Sequence, residues 1–177
     1  MANTAVKLND GTTIPFLAFG TGSTLHSRDV QHLVTSAINA GFTHLDGAQW
    51  YGNEESLGAG IAAAGKAREQ LFITTKLKKL PEGKTVRDTL IDSLAKLRVD
   101  YVNLFLVHTP LDFSYKEPGY LKALWKEMEA VKKEGLTRSI GVSNFRVEQL
   151  RETLDDVEVI PSINQVVFDL KTAKARC

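Results

Sequence analysis

Short apolar runs alternate with apolar stripes at helical spacing along most of this chain, and no other feature limits its possible folds so strongly. The runs PFLAFG, FTHLD, LFITTK, VNLFLVH, RSIGVSN and SINQVVF are too short for helices and rich in strand formers. Between the first two, Val30, Leu33, Val34, Ala37 and Ile38 lie along one helical face, with Ser27 placed to cap it. Residues 54–64 then predict a helix stopped by Gly65, which tolerates the left-handed C-cap conformation. Further on, Leu90, Ile91, Leu94 and Leu97 share a face behind a capping-box pair, Thr85 and Asp88. Leu121, Leu124, Trp125, Met128 and Val131 mark a helix ended by Gly135, and Val147, Leu150 and Leu154 mark another. Strands and helices in this alternation predict a parallel α/β sheet with right-handed crossovers. Ahead of it, VKLNDGTTI predicts an N-terminal β-hairpin turning at Asp10-Gly11 through two residues with positive φ. PFLAFG, continuously apolar, predicts a first strand buried on both faces.

An open sheet and a barrel share this pattern, and the polar residues choose between them. A dinucleotide-binding open sheet places G-x-G-x-x-G after its first strand, whereas GTGSTL has Leu25 at the third glycine position. Polar groups instead follow several different runs: Asp46 and Tyr51 after FTHL, Lys76 at the end of FITTK, His108 after NLFLV. Lys76 follows Asp46 by 30 residues and His108 follows Lys76 by 32, one strand–helix unit each. Such placement puts all of them on the rim where barrel enzymes build their sites, so the chain reads as an incomplete (β/α)8 TIM barrel with about six parallel strands. Singly, Tyr51 is explained as a helix-start aromatic, Asp46 and Lys76 as an ion pair, and His108 as a bonded strand end. Their coincidence on one rim favours catalysis.

The 177 residues suit one domain, here residues 1–168, with a divergent basic tail over 169–177. Twenty-two basic residues nearly cancel 21 acidic ones, which argues against nucleic acid and anionic membranes as partners. MANTAVKLND lacks the pattern of a secretory signal and no apolar run is long enough to span a bilayer, so a cytoplasmic location is expected. Cys177 is the only cysteine, and His26, His32 and His44 have no paired ligand spacing, so neither disulfide nor metal is expected.

The words around the rim residues carry a resemblance. HLDGAQWYGNEES resembles the H-x-D-x-A-x-x-Y-G-N-E signature of the aldo-keto reductase family, and Lys76, His108, GVSNF and INQV match its later motifs in order. The resemblance runs from residue 5 to 168. It implies an NADP-dependent oxidoreductase acting on a small carbonyl or alcohol substrate, with Asp46, Tyr51, Lys76 and His108 as a catalytic tetrad. Tyr51 would give the carbonyl oxygen its proton, a task for which a phenol is sluggish unless a cation stabilises the phenolate. Lys76 would be that cation, Asp46 would hold it, and His108 would orient the substrate oxygen. Thr21, Asp46, Ser143, Asn144 and Gln165 would bind the cofactor, the last three at the nicotinamide carboxamide, whose one acceptor and two donors suit their side chains. Ser143 and Asn144 also read as a cap for the Val147 helix. Trp50, His108 and Phe113 would contact substrate, with Tyr115 and Tyr120 as further walls. Gly22 stands where many members carry Trp and Trp50 where many carry a smaller residue, as if the bulky wall had changed loops.

After INQVVF the resemblance breaks off at DLKTAKARC, as an unspliced intron, a frameshift or a premature stop would leave it. Asp169 and Leu170 stand where the family continues with His-Pro, and its seventh and eighth units, which bind the NADP 2′-phosphate, have no counterpart here. Two open sheet edges are then expected, favouring self-association. The competing expectation is a non-catalytic isoform or pseudoenzyme acting through protein interactions at those edges. A nicotinamide-independent isomerase or lyase using Tyr51 is a third.

Overall fold

The computed structural model describes residues 5–110 and 117–166. An antiparallel hairpin, β1 (Ala5–Lys7) and β2 (Thr13–Pro15), precedes a single parallel sheet. The sheet's strands are β3 (Ala18–Gly20), β4 (His44–Asp46), β5 (Phe72–Leu77), β6 (Val102–Val107), β7 (Thr137–Ser143) and β8 (Asn164–Gln165), adjacent in chain order. Helices α1 (Gln31–Asn39), α2 (Glu54–Ala64), α3 (Val86–Leu97), α4 (Tyr120–Lys133) and α5 (Val147–Thr153) occupy the crossovers. Six parallel strands in sequential order, each joined to the next across a helix, form part of a (β/α)8 barrel.

Strand alternation separates the two faces. Ile73, Leu77, Phe105, Val107, Ile140 and Val142 join the buried helical residues in the main core. Phe72, Leu104 and Leu106, one residue out of phase, pack instead with Leu8 and Ile14 of the hairpin. The hairpin therefore plugs the N-terminal end of the barrel interior. Lys76 shares the parity of Phe72, and His108 that of Leu106, so both belong to the interior face above the plug.

Helix signals came through where they were local. The Thr85–Asp88 capping box is present, with Asp88 N donating to the Thr85 hydroxyl and Thr85 N to the Asp88 carboxylate. Gly65 (φ 64°) and Gly135 (φ 82°) take the left-handed conformation that ends α2 and α4. The stripe Leu121, Leu124, Trp125, Met128 and Val131 is buried throughout.

Four expectations need correction. The hairpin has a three-residue loop, with Gly11 N bonded to Leu8 O and Leu8 N to Thr12 O, so only Gly11 needs positive φ. Ser27 does not cap α1: its φ is positive, and Asp29 instead accepts from Gln31 N at the helix start. The PFLAFG strand is exposed, not buried, because β3 lies at a sheet edge; Phe16 and Leu17 are 67% and 62% exposed. Leu33, Ile91 and Val147 lie on the outer margins of their helices and are likewise exposed. Among the described residues no helix is long and apolar enough to cross a membrane. Phe113, Tyr115 and the tail from residue 169 fall outside the described residues.

Candidate active site

The sheet register brings the polar strand ends together. Gly20, Asp46, Thr74, Leu104 and Ser139 form one row across the sheet, and Lys76, Leu106 and Gly141 lie two residues higher. Lys76 Nζ, on a side chain 2% exposed, donates to Asp46 Oδ1 at 2.6 Å, to the Gly47 carbonyl at 3.0 Å and to the Tyr51 hydroxyl at 3.4 Å. All three ammonium donors are thus engaged. Burying such an ion costs several kcal/mol unless its partners compensate, and here a carboxylate and a carbonyl do so at short range.

Tyr51 ends a 3-10 turn, Gln49–Tyr51, after which Gly52 at φ 66° turns the chain into α2. Its ring meets His108 edge to face, centroids 5.5 Å apart, and Trp50 approaches the same imidazole at 5.8 Å. Gly22 lies against the phenol: a Cβ there would stand 2.7 Å from Tyr51 Cζ, so any side chain at residue 22 displaces the ring. Sequence had marked Gly22 only as a missing wall. The contact spans two loops, and no local pattern announces it.

His108 is mostly buried, with Nδ1 unpartnered among the described residues. Burial, and then the nearby Lys76 charge, bring its pKa down to about 4, with Asp46 opposing. The ring is neutral at physiological pH. His44 is lowered too, chiefly by burial, and bonds Thr74 Oγ1. For a histidine held neutral in the fold, the unfolded chain binds the proton first as pH falls. The stability gained above the ordinary value of 6.5 is therefore lost as pH falls through about 4. Denaturant midpoints should drop across this window, and less in His108→Gln; equal losses in both proteins would contradict the neutral, buried imidazole.

Ser143, Asn144 and Gln165 converge beside this group. Ser143 Oγ donates to Gln165 O at 2.7 Å, and Asn144 Nδ2 to Ser143 Oγ and His108 O. Gln165 Nε2 reaches Asp46 Oδ2 at 3.1 Å. Asn144 has φ 59°, a conformation Asn tolerates better than most residues. One hydroxyl and two primary amides linked to Asp46 make a donor set that fits a carboxamide. Thr21 is fully buried, with its N–H and hydroxyl on the Asp46 carbonyl, and its own carbonyl accepts from Asn53. It therefore fixes the end of β4 from beneath. Tyr120 starts α4 and is partly buried against the main core. Among the described residues no group of three or more His, Cys, Asp or Glu could hold a metal ion.

Residues 17–176 match the family model described as the aldo/keto reductase family. The chain is 38% identical over 164 residues to glyoxal reductase of Bacillus subtilis (strain 168), covering 92% of this chain and 57% of the relative. It is 40% identical over 167 residues to methylglyoxal reductase DkgA of Escherichia coli (strain K12), covering 94% and 58%. Among solved structures, the Bombyx mori aldo-keto reductase AKR2E4 in complex with NADP aligns with TM-score 0.78 at 38% identity, over 94% of this chain and 58% of that one. This chain thus spans somewhat over half the length of the proteins it matches.

Proposed function

Since the chain belongs to the aldo/keto reductase family, we propose that it supplies the catalytic rim of an NADP-dependent reductase of small aldehydes and ketones. The Lys76 ammonium, bonded to both Asp46 and Tyr51 inside the barrel, is the observation that carries this function. Tyr51 holds the proton destined for the carbonyl oxygen, and Lys76 carries the positive charge that favours its departure. His108, neutral, offers a hydrogen bond that aims the same oxygen at Tyr51. Ser143, Asn144 and Gln165 would hold the nicotinamide carboxamide, giving up some of their mutual bonds to do so. Reduced NADP, when bound, would supply the hydride. Trp50 and the loop after His108, including Phe113, would border the substrate.

The named relatives support a small aldehyde as substrate, glyoxal and methylglyoxal being the ones to try first. Purified protein should quench or shift NADPH fluorescence on titration and consume NADPH when methylglyoxal is added. An absence of both effects at high cofactor concentration would defeat the reductase proposal and favour a binding role at the exposed edges.

A further inference from the structure

Behind the sheet, on the side of β5 that faces the helices, lies a buried polar cluster that the chemistry above does not use. Glu54, the first residue of α2, is only 4% exposed. Its Oε1 accepts from Thr75 Oγ1 at 2.6 Å and its Oε2 from Ser93 Oγ at 3.2 Å. Ser93, 1% exposed on α3, also accepts from Gln49 Nε2 at 3.1 Å. The Gln49 amide completes a ring: it donates to Thr89 O and accepts from Lys78 N at 2.8 Å.

The sequence positions of these anchors matter more than their number. Gln49 and Glu54 bracket Tyr51, Gln49 as the first residue of its turn and Glu54 as the first of α2. Thr75 and Lys78 bracket Lys76. Alternation along β5 points Thr75 toward the helices and Lys76 into the interior, so a bond on the outer face fixes the strand that carries the inner lysine. We propose that the Gln49–Ser93–Glu54–Thr75 network is a clamp that sets the distance between Tyr51 and Lys76, making Glu54, Ser93 and Thr75 positioning residues. The proposal rests on the assignment of Tyr51 and Lys76 as the working pair.

Two features support a role beyond packing. Burial raises the Glu54 pKa, and the bonds from Thr75 and Ser93, with the Lys96 charge, oppose that cost. An apolar side chain would fill the same space between α2, α3 and the sheet without any such penalty. The Lys76–Tyr51 contact, at 3.4 Å, is also the longest of the three lysine bonds, and so the one most sensitive to a small slip of either strand end.

The chain has four tyrosines, so protein carrying tyrosine labelled with ¹³C at Cζ gives a spectrum in which the Tyr51 signal is assigned by its loss in Tyr51→Phe. Thr75→Val replaces the hydroxyl with a methyl and keeps the branched shape suited to a strand. It should move the Tyr51 signal toward its position in Lys76→Met, while Tyr101 and Tyr120 stay in place and Thr75→Ser returns the wild-type spectrum. Turnover should fall about 10- to 100-fold, with KM and NADPH affinity changed less than about twofold, as expected when only the geometry of the reacting groups is disturbed. Ser93→Ala should reproduce both effects through a different member of the ring. A Tyr51 signal unmoved in a folded Thr75→Val or Ser93→Ala protein overturns the clamp, as does failure of both variants to fold, since the network would then be serving the core. If the signal moves but wild-type protein never oxidises NADPH, the clamp stands and the reductase function falls.

Discussion

Tyr51→Phe should lower turnover on a small aldehyde by about 10²- to 10⁴-fold, the range typical of losing a positioned general acid, while NADPH affinity stays unchanged. The substitution deletes one oxygen and keeps the ring, so the edge-to-face contact with His108 and the close approach of Gly22 survive. What disappears is the acceptor of the longest Lys76 bond; the bonds to Asp46 and Gly47 remain. A fall in kcat with KM constant would separate proton donation from substrate binding. Equal rates in the two proteins would remove Tyr51 from the mechanism, and the neutral His108 would be the remaining candidate donor. Lys76 makes a less clean test. Removing it leaves Asp46, whose side chain is 14% exposed, beside Gln165 without its counter-charge, a change that costs up to about 3–5 kcal/mol, the loss seen when one partner of a fully buried pair is removed. Lost activity in Lys76→Met therefore mixes chemistry with stability unless folding is measured alongside.

The parts of this fold legible in the sequence are those encoded within a few residues. Apolar periodicity located α1, α3, α4 and α5, Gly65 and Gly135 marked two helix ends, and Thr85 with Asp88 marked a start. Each is a local preference that the tertiary structure had no reason to override. Ser27 failed as a cap because its N–H is drawn to Tyr51 O, a contact made across two loops. The PFLAFG run misled for another reason: continuous apolarity reports what a strand could bury, while position in the sheet decides what it does bury. β3 is an edge in the described sheet, and Phe16 and Leu17 remain in solvent.

The rim residues were legible for a third reason, since strand length and crossover length together fix where each run delivers its last side chain. Asp46, Lys76 and His108 could be placed on one rim from their spacing and their positions after apolar runs. The residues behind them could not. Gln49 meets Ser93 and Glu54 meets Thr75 across 44 and 21 positions, with no periodicity linking them. Glu54 did stand inside the recognisable word YGNEES, where a buried carboxylate at a helix start reads from sequence as an ordinary favourable charge near the helix N-terminus.

The 177-residue polypeptide should bind NADPH much more weakly than a chimera that continues it with the C-terminal remainder of the Escherichia coli relative, of which it covers 58%. Barrels of this kind commonly hold phosphate through the loops after strands seven and eight, whereas the described sheet runs from β3 to β8, its first to its sixth strand. Bonds to a charged phosphate contribute about 1.5–3 kcal/mol each, so two of them amount to about 10²- to 10⁴-fold in affinity. The carboxamide contacts proposed at Ser143, Asn144 and Gln165 would be the same in both proteins, so a difference in affinity would come from what the added remainder supplies. A second consequence follows from the edges of the described sheet. Phe16 and Leu17 beside β3, and Ile160 and Val166 flanking β8, are all more than half exposed, and sheet edges left unpaired among the described residues, next to apolar side chains, invite other chains. Light scattering should therefore show the 177-residue polypeptide self-associating at concentrations where the chimera is monodisperse. Matched NADPH affinities together with a monodisperse short chain would refute both expectations, and would mean that the six strands bind the cofactor through surfaces other than the loops that follow strands seven and eight in a closed barrel.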